Sequence, residues 1–161
     1  MESVIAPVIA IVKRFPIWTA IGVFALVGFV FRDFLSGNVG DLKIGDCFDA
    51  PSLTTKDAIV KDVQHHPCSD LHGGEVFFIG DIAGAASNAY PADEAFTSFV
   101  RDQCLPAYRG YTGREFDTDE TYDFQWLTPT AAGWAKGDRA INCFVLRVDG
   151  QPFKGSVKAS R

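Results

Sequence analysis

Hydrophobic and polar positions are unevenly distributed along the chain. Phe15 to Phe31 (FPIWTAIGVFALVGFVF) is a stretch of 17 residues without a charge, bounded by Lys13-Arg14 and Arg32-Asp33. An ideal helix of that length spans roughly 26 Å, against a hydrocarbon core of about 30 Å. Lys13 and Arg14 can snorkel, and Phe34-Leu35 extends the outer end. No polar face is left to show to water, so a single N-terminal transmembrane helix is expected over residues 15–35. A cleaved signal peptide would end in small residues, whereas the exit here is Gly28-Phe29-Val30-Phe31-Arg32-Asp33. The segment is therefore expected to stay as an uncleaved signal anchor. Lys13 and Arg14 precede it and Arg32 is offset by Asp33. The positive-inside rule then places residues 1–14 in the cytoplasm and the C-terminal domain outside the plasma membrane. Val4 to Val12 is apolar but too short to span, and is expected at the inner interface or on a partner helix. Thr19, Gly22, Ala25 and Gly28 recur every third residue, a small-residue stripe that would let another helix approach.

Beyond the anchor the periodicity changes. Residues 36–41 are turn-rich and expected as a linker to an extracytoplasmic domain over 42–161. Leu42–Asp49 and Ala58–Gln64 read as strands, and Gly74–Asp81 (GEVFFIGD) is a continuous apolar run suited to a central strand. Tyr90-Pro91-Ala92-Asp93-Glu94 carries proline and acids as a helix start does. Phe96, Phe99, Val100 and Cys104 follow at helical spacing, and the helix is expected to stop near Pro106. Tyr122–Leu127 alternates as a half-buried strand, Thr130–Trp134 reads as one helical turn, and Ala140–Val148 as another strand. Asp149-Gly150 then signals a tight turn into a last short strand. The fold class predicted is α+β: an antiparallel sheet with one main helix.

Charge narrows the class. The chain carries 15 Lys/Arg and 20 Asp/Glu over 161 residues, a net charge of −5. From Ser36 onward the count is 12 against 18, a net of −6. A nucleic-acid partner calls for a basic face, so none is expected. An anionic bilayer surface would repel the domain.

Four cysteines, Cys47, Cys68, Cys104 and Cys143, all follow the anchor. An even count in an oxidising compartment favours two disulfides. Three pairings are possible, and neighbouring elements favour Cys47–Cys68 with Cys104–Cys143. No CxxC occurs, so a redox or metal role is not expected of them.

The motifs assembled so far resemble those of the septum formation domain family of actinobacterial envelope proteins. Leu42–Phe48 (LKIGDCF) resembles its opening GDCF motif, and Pro67–Val76 (PCSDLHGGEV) resembles PCxxPHxxEV. Tyr90–Glu94 (YPADE) resembles YPGDxA ahead of the helix. Pro129-Thr130, Trp134, Gly137-Asp138-Arg139 and Cys143 resemble PTxxxWxxGDRxxxC, and Gly155-Ser156 resembles the closing GS. Leu71 and Ala92 stand where the family usually has proline and glycine. The resemblance runs from about Leu42 to Lys158. It implies a membrane-anchored extracytoplasmic domain with paired cysteines, and a link to septation, but no enzymatic activity.

The remaining chemistry is sparse. His65, His66, His72 and Glu75 lie close in sequence, and His with carboxylate is a zinc-ligand combination. Only His72 and Glu75 fall in a resemblance motif, so hydrogen bonding to backbone is expected of them and no metal is assigned. Arg139 has the planar fork that holds carboxylate or phosphate, and a structural pair with Asp46 or Glu75 is expected of it. His72, Glu75, Asp138 and Arg139 together form the candidate polar site. Glu115, Asp117, Asp119, Glu120 and Asp123 form an acidic run without calcium-loop spacing. No nucleophile, phosphate-loop or dinucleotide motif is present.

These features point to a non-enzymatic interaction module with no cofactor. It would sit in the bilayer through one helix and contact other membrane or envelope proteins through the acidic loop and exposed aromatics such as Tyr108 and Tyr111. It would serve as accessory subunit or adapter of a septation, envelope-assembly or respiratory-chain type complex. The alternative is an envelope enzyme or small-ligand binder in which His72, Glu75 and Arg139 converge on an open pocket.

Overall fold

The computed structural model describes residues 36–49, 62–82 and 89–160. Among them no helix is long and apolar enough to cross a membrane. The expected span at 15–35, with Thr19, Gly22, Ala25 and Gly28, lies outside the described residues, as does the cytoplasmic segment 1–14.

Among the described residues six antiparallel strands form one sheet: β1 (Ser36–Asn38), β2 (Cys47–Asp49), β3 (Asp62–His66), β4 (Gly74–Asp81), β5 (Tyr122–Leu127) and β6 (Ala140–Arg147). Their spatial order is β1-β3-β2-β4-β6-β5. The apolar run of β4 belongs at the centre, with β2 on one side and β6 on the other. Residues 36–41 are not a linker. Ser36–Asn38 pairs with Gln64–Asp62 of β3, and Val39–Asp41 is a 3-10 turn. The open edge of β3 gives this polar segment backbone partners that its own side chains do not advertise. The first strand is shorter than the hydropathy suggests, because Leu42–Asp46 is spent on a turn closed by Asp46 N–H to the Lys43 carbonyl.

Helix α1 (Asp93–Phe99) opens with Asp93 and Glu94 in its first turn, passes through a π turn at Val100–Cys104 and continues as α2 (Leu105–Thr112). The helix does not stop near Pro106. In the π turn the Leu105 N–H donates to the Val100 carbonyl five residues back. That wider turn puts Pro106 in the first turn of α2, where its missing N–H and fixed φ are tolerated. Gly113, at φ +70°, ends the helix in the left-handed conformation. Helix α3 (Ala131–Trp134) is a single turn whose N-cap Thr130 Oγ1 accepts from the Gly133 N–H at 3.0 Å.

The sheet has an apolar cluster on each face. On the helix side Phe77, Phe96, Val100, Cys104, Tyr108, Phe124, Trp134, Ile141, Cys143 and Val145 are buried together. The register of β4 on β6 shifts between Val76 and Phe78. This bulge lets Phe77 and Phe78 both pack toward the helix, against Tyr108 and Phe99 respectively. On the other side Leu42, Phe48, Val63, Val76 and Phe144 cluster. Phe48 and Phe144, from strands two apart, meet edge to face with ring centroids 5.4 Å apart, so the sheet is curled rather than flat. The last short strand expected after Asp149-Gly150 reduces to one bridge, Phe153 with His72.

Among the described residues strand β5 is one edge of the sheet and β1 the other. The Tyr122 and Phe124 amides turn away from β6 and donate to the carboxylates of Asp119 (3.1 Å) and Asp123 (2.7 Å).

Two disulfides join Cys47 to Cys68 and Cys104 to Cys143, with Cα separations of 5.3 and 6.2 Å. These are the pairings that neighbouring elements favoured. The second staples the π turn to β6 inside the main core, where both cysteines are fully buried.

Candidate functional site

The candidate site grows from the turn that opens β2. Gly45 holds φ +95°, a conformation that favours glycine, and its N–H donates to the Val76 carbonyl at 2.8 Å. A side chain there would approach the Tyr111 hydroxyl. Cys47 then pairs in register with Glu75 on one flank and His66 on the other, so the three side chains lie on one face. Asp49 Oδ1 accepts from the Gly73 N–H, pinning the loop between β3 and β4 to β2.

That loop carries Cys68 and His72. The His72 N–H and carbonyl both pair with Phe153 at 3.0 Å, and its ring meets the Phe153 ring at 4.3 Å. His72 is fully buried. Its Nδ1 lies 2.9 Å from the Asp70 carbonyl. A carbonyl only accepts, so Nδ1 carries the proton in the neutral ring and Nε2 presents a bare lone pair. Nε2 is buried without a hydrogen-bond partner among the described residues.

Glu75 is equally buried and its carboxylate is clamped. Oε1 accepts from the Tyr111 and Ser156 hydroxyls, both at 2.6 Å, and Oε2 from the Val157 N–H at 2.7 Å. The clamp joins the middle of the sheet, the end of α2 and the C-terminal tail. The tail is further held by Gly155 N–H to the Cys68 carbonyl and Ala159 N–H to the Tyr111 carbonyl. Burial, and then the hydrogen bond to Glu75, push the Tyr111 hydroxyl well above the usual tyrosine range. It therefore stays a proton donor to Glu75 and is no general base. Tyr108 is raised in the same direction by burial and by its bond to Asp119.

The four members of the candidate polar site separate into two places. His72 and Glu75 stand together, with one ligand-type atom of each within 4.8 Å of the other and of Cys47 Sγ. Asp138 and Arg139 do not join them. Glu75 faces Val145 across the ladder and Ala140 faces Asp81, six residues further along β4, or about 20 Å at strand rise. Arg139 pairs with neither Asp46 nor Glu75. Its Nη1 donates at 2.8 Å to both the Trp134 and Asp138 carbonyls, and its guanidinium lies 3.6 Å over the Trp134 ring. Asp138 Oδ1 accepts from the Ala140 N–H. This corner closes α3 onto β6, so both residues serve the backbone.

Tyr108 and Tyr111 are not exposed aromatics. Tyr108 is fully buried and Tyr111 half-buried, because the continued helix turns Cys104, Tyr108, Tyr111 and Thr112 onto the sheet at i, i+3 and i+4 spacing. Among the described residues the exposed large apolar side chains are instead Ile44, Leu71, Tyr90, Trp126 and Val148. His65 and His66 face Asp46 Oδ2 at 3.8 Å and Asp49 Oδ2 at 3.0 Å. Part of the acidic run is structural: Asp119 Oδ2 accepts from the Tyr108 hydroxyl at 2.7 Å, and Oδ1 from the Thr121 and Tyr122 amides.

The sequence profile of the septum formation family matches residues 44–160. The chain belongs to that family. The match takes in the clamp, the Asp138-Arg139 corner and all four cysteines, and it ties the protein to a cell-division or envelope-related role. No curated protein and no solved structure matches the chain. Tyr111 and Val157 were not singled out by sequence reasoning as partners of Glu75. Ser156 carried a signal, the closing GS motif of this septum formation domain, but without a partner.

Proposed function

We propose that this septum formation protein is a non-enzymatic, membrane-anchored extracytoplasmic module that acts as accessory subunit or adapter of a membrane or envelope protein complex. The observation that carries this reading is the state of His72 and Glu75. Both are fully buried, and the carboxylate accepts from Tyr111, Ser156 and Val157 rather than turning toward a cleft. Two disulfides suit an oxidising extracytoplasmic compartment, and the charge-free stretch 15–31 suits an anchor. Partner contact would use exposed apolar residues such as Leu71, Trp126 and Val148.

The test is purification of a tagged full-length chain from native membranes in mild detergent, followed by mass spectrometry. The expected result is a stoichiometric set of membrane or envelope proteins, reduced by charge substitutions at Leu71 or Trp126. Their identity names the process, division and envelope assembly or a respiratory-chain type complex. Recovery of the chain alone overturns the subunit reading.

A further inference from the structure

The Cys47–Cys68 disulfide lies against two buried groups that the clamp leaves chemically incomplete. Cys47 Sγ, a ring nitrogen of His72 and a carboxylate oxygen of Glu75 all lie within 4.8 Å of one another. Cys68 Sγ is bonded to Cys47 Sγ and lies 3.6 Å from the Gly45 carbonyl, so it adjoins this group without belonging to it in the disulfide form. His72 Nδ1 is committed to the Asp70 carbonyl, which leaves Nε2 as a buried lone pair with no hydrogen-bond partner. A backbone carbonyl on one ring nitrogen and a bare lone pair on the other is how metal-binding histidines are oriented. Glu75 has spare capacity as well. Its carboxylate offers about four lone-pair positions, and the three hydrogen bonds from Tyr111, Ser156 and Val157 leave one on Oε2.

The geometry points to a latent zinc-type site made of Cys47, Cys68, His72 and Glu75, opened by reduction of the Cys47–Cys68 bond. A dithiol reductant delivers two electrons and two protons. The S–S bond breaks, two thiols form, and the reductant becomes a disulfide. A divalent cation then displaces the two thiol protons and takes two thiolates, one imidazole and one carboxylate. Four ligands of these types match the tetrahedral preference of Zn²⁺ and of Co²⁺ as its probe. In the disulfide form both sulfurs are spent on each other and the set is short of two ligands. Metal–ligand bonds of about 2.0–2.3 Å require the Cys47, His72 and Glu75 donors to draw together from within 4.8 Å and Cys68 to swing in, and the loop bearing Cys68 is the part released when the bond opens. His66 is not in the set, since its ring is turned to Asp49.

The test uses the full-length chain in detergent, oxidised or reduced anaerobically, titrated with Co²⁺ and with Zn²⁺. The expected result is one equivalent of Co²⁺ on the reduced chain, with thiolate-to-cobalt charge-transfer and tetrahedral d–d absorption, displaced by Zn²⁺. The oxidised chain should show neither band. Cys104→Ser/Cys143→Ser should keep the site and Cys47→Ser/Cys68→Ser should abolish it. His72→Gln should weaken binding at least tenfold. This last variant separates a built site from thiols on an unfolded chain, which would bind metal whether or not His72 is present. Equal affinity of reduced His72→Gln and reduced wild type overturns the proposal, as does a reduced wild-type chain that takes up no metal.

Discussion

Glu75→Gln tests whether the clamp holds the C-terminal tail to the sheet. Glutamine preserves volume and one carbonyl oxygen. If that oxygen serves Tyr111 and Ser156, the new NH2 group confronts the Val157 N–H, donor against donor. If the amide turns over, the two hydroxyls lose their acceptor. At least one charge-assisted hydrogen bond is lost either way, at about 1.5–3 kcal/mol. Glu75→Ala orphans all three donors and leaves a cavity beneath the tail, for roughly 3–6 kcal/mol. For a domain of this size about 1 kcal/mol moves Tm by about 4 °C. The glutamine variant should therefore melt about 6–12 °C lower and the alanine variant at least as much again. Melting should be followed by near-ultraviolet circular dichroism with both disulfides intact. Hydrogen exchange at the Val157 and Ala159 amides then locates the damage, since both should lose protection before the β4–β6 ladder does. A glutamine variant within about 2 °C of wild type, or an alanine variant no worse than glutamine, would refute the clamp as a stabilising element.

Arg139→Lys should destabilise nearly as much as Arg139→Ala, by about 1–3 kcal/mol. An ammonium replaces neither the stack on Trp134 nor the reach to two carbonyls, and thermal melts followed by tryptophan fluorescence read it directly. Replacing Cys104 and Cys143 by alanine should cost more than replacing Cys47 and Cys68. The closed chain is 39 residues against 21, or about 4 against about 3 kcal/mol of loop entropy, and urea midpoints of the two double variants rank them. Burial alone would raise the Asp119 carboxyl, but hydrogen bonds from the Tyr108 hydroxyl and the Tyr122 and Thr121 amides hold it below its ordinary value. A carboxylate depressed in the folded state stabilises above its unfolded pKa, about 3.9, and that stability is lost as pH falls through the folded value. Asp119→Asn should therefore lower Tm at pH 7 and flatten the loss of stability below pH 4.

Sequence periodicity located the elements whose side chains decide their own placement. The apolar run of β4 and the alternation in β5 needed only local pattern, and Thr130 announced α3. The helix was cut short at Pro106 because the π turn that accommodates it rests on one bond five residues long, which no local propensity encodes. A helix ending there would leave Tyr108 and Tyr111 in a surface loop, whereas the continued helix buries Tyr108 and half-buries Tyr111. The candidate site was legible only as the pair His72 and Glu75. Glu75 and Ser156 stand 81 residues apart, and only the return of the tail across Cys68 and His72 brings them together. Arg139 was noticed for its chemistry but misassigned, because a guanidinium satisfied by backbone carbonyls leaves no acidic partner to find in sequence.

An unpaired strand at the rim of a sheet is a template on which a second copy of a protein can crystallise into a growing fibre. The rim at β5 is six residues long and carries Trp126 outward, a combination suited to such templating. Asp119 and Asp123 disarm it by occupying the Tyr122 and Phe124 amides and by setting negative charge where an incoming strand would lie. The guard is covalently local, so it works however densely the molecules are arrayed. Many copies could therefore crowd at one site without polymerising through this edge. Changing both aspartates to serine would remove that immunity, and chain-on-chain growth should then begin at this rim.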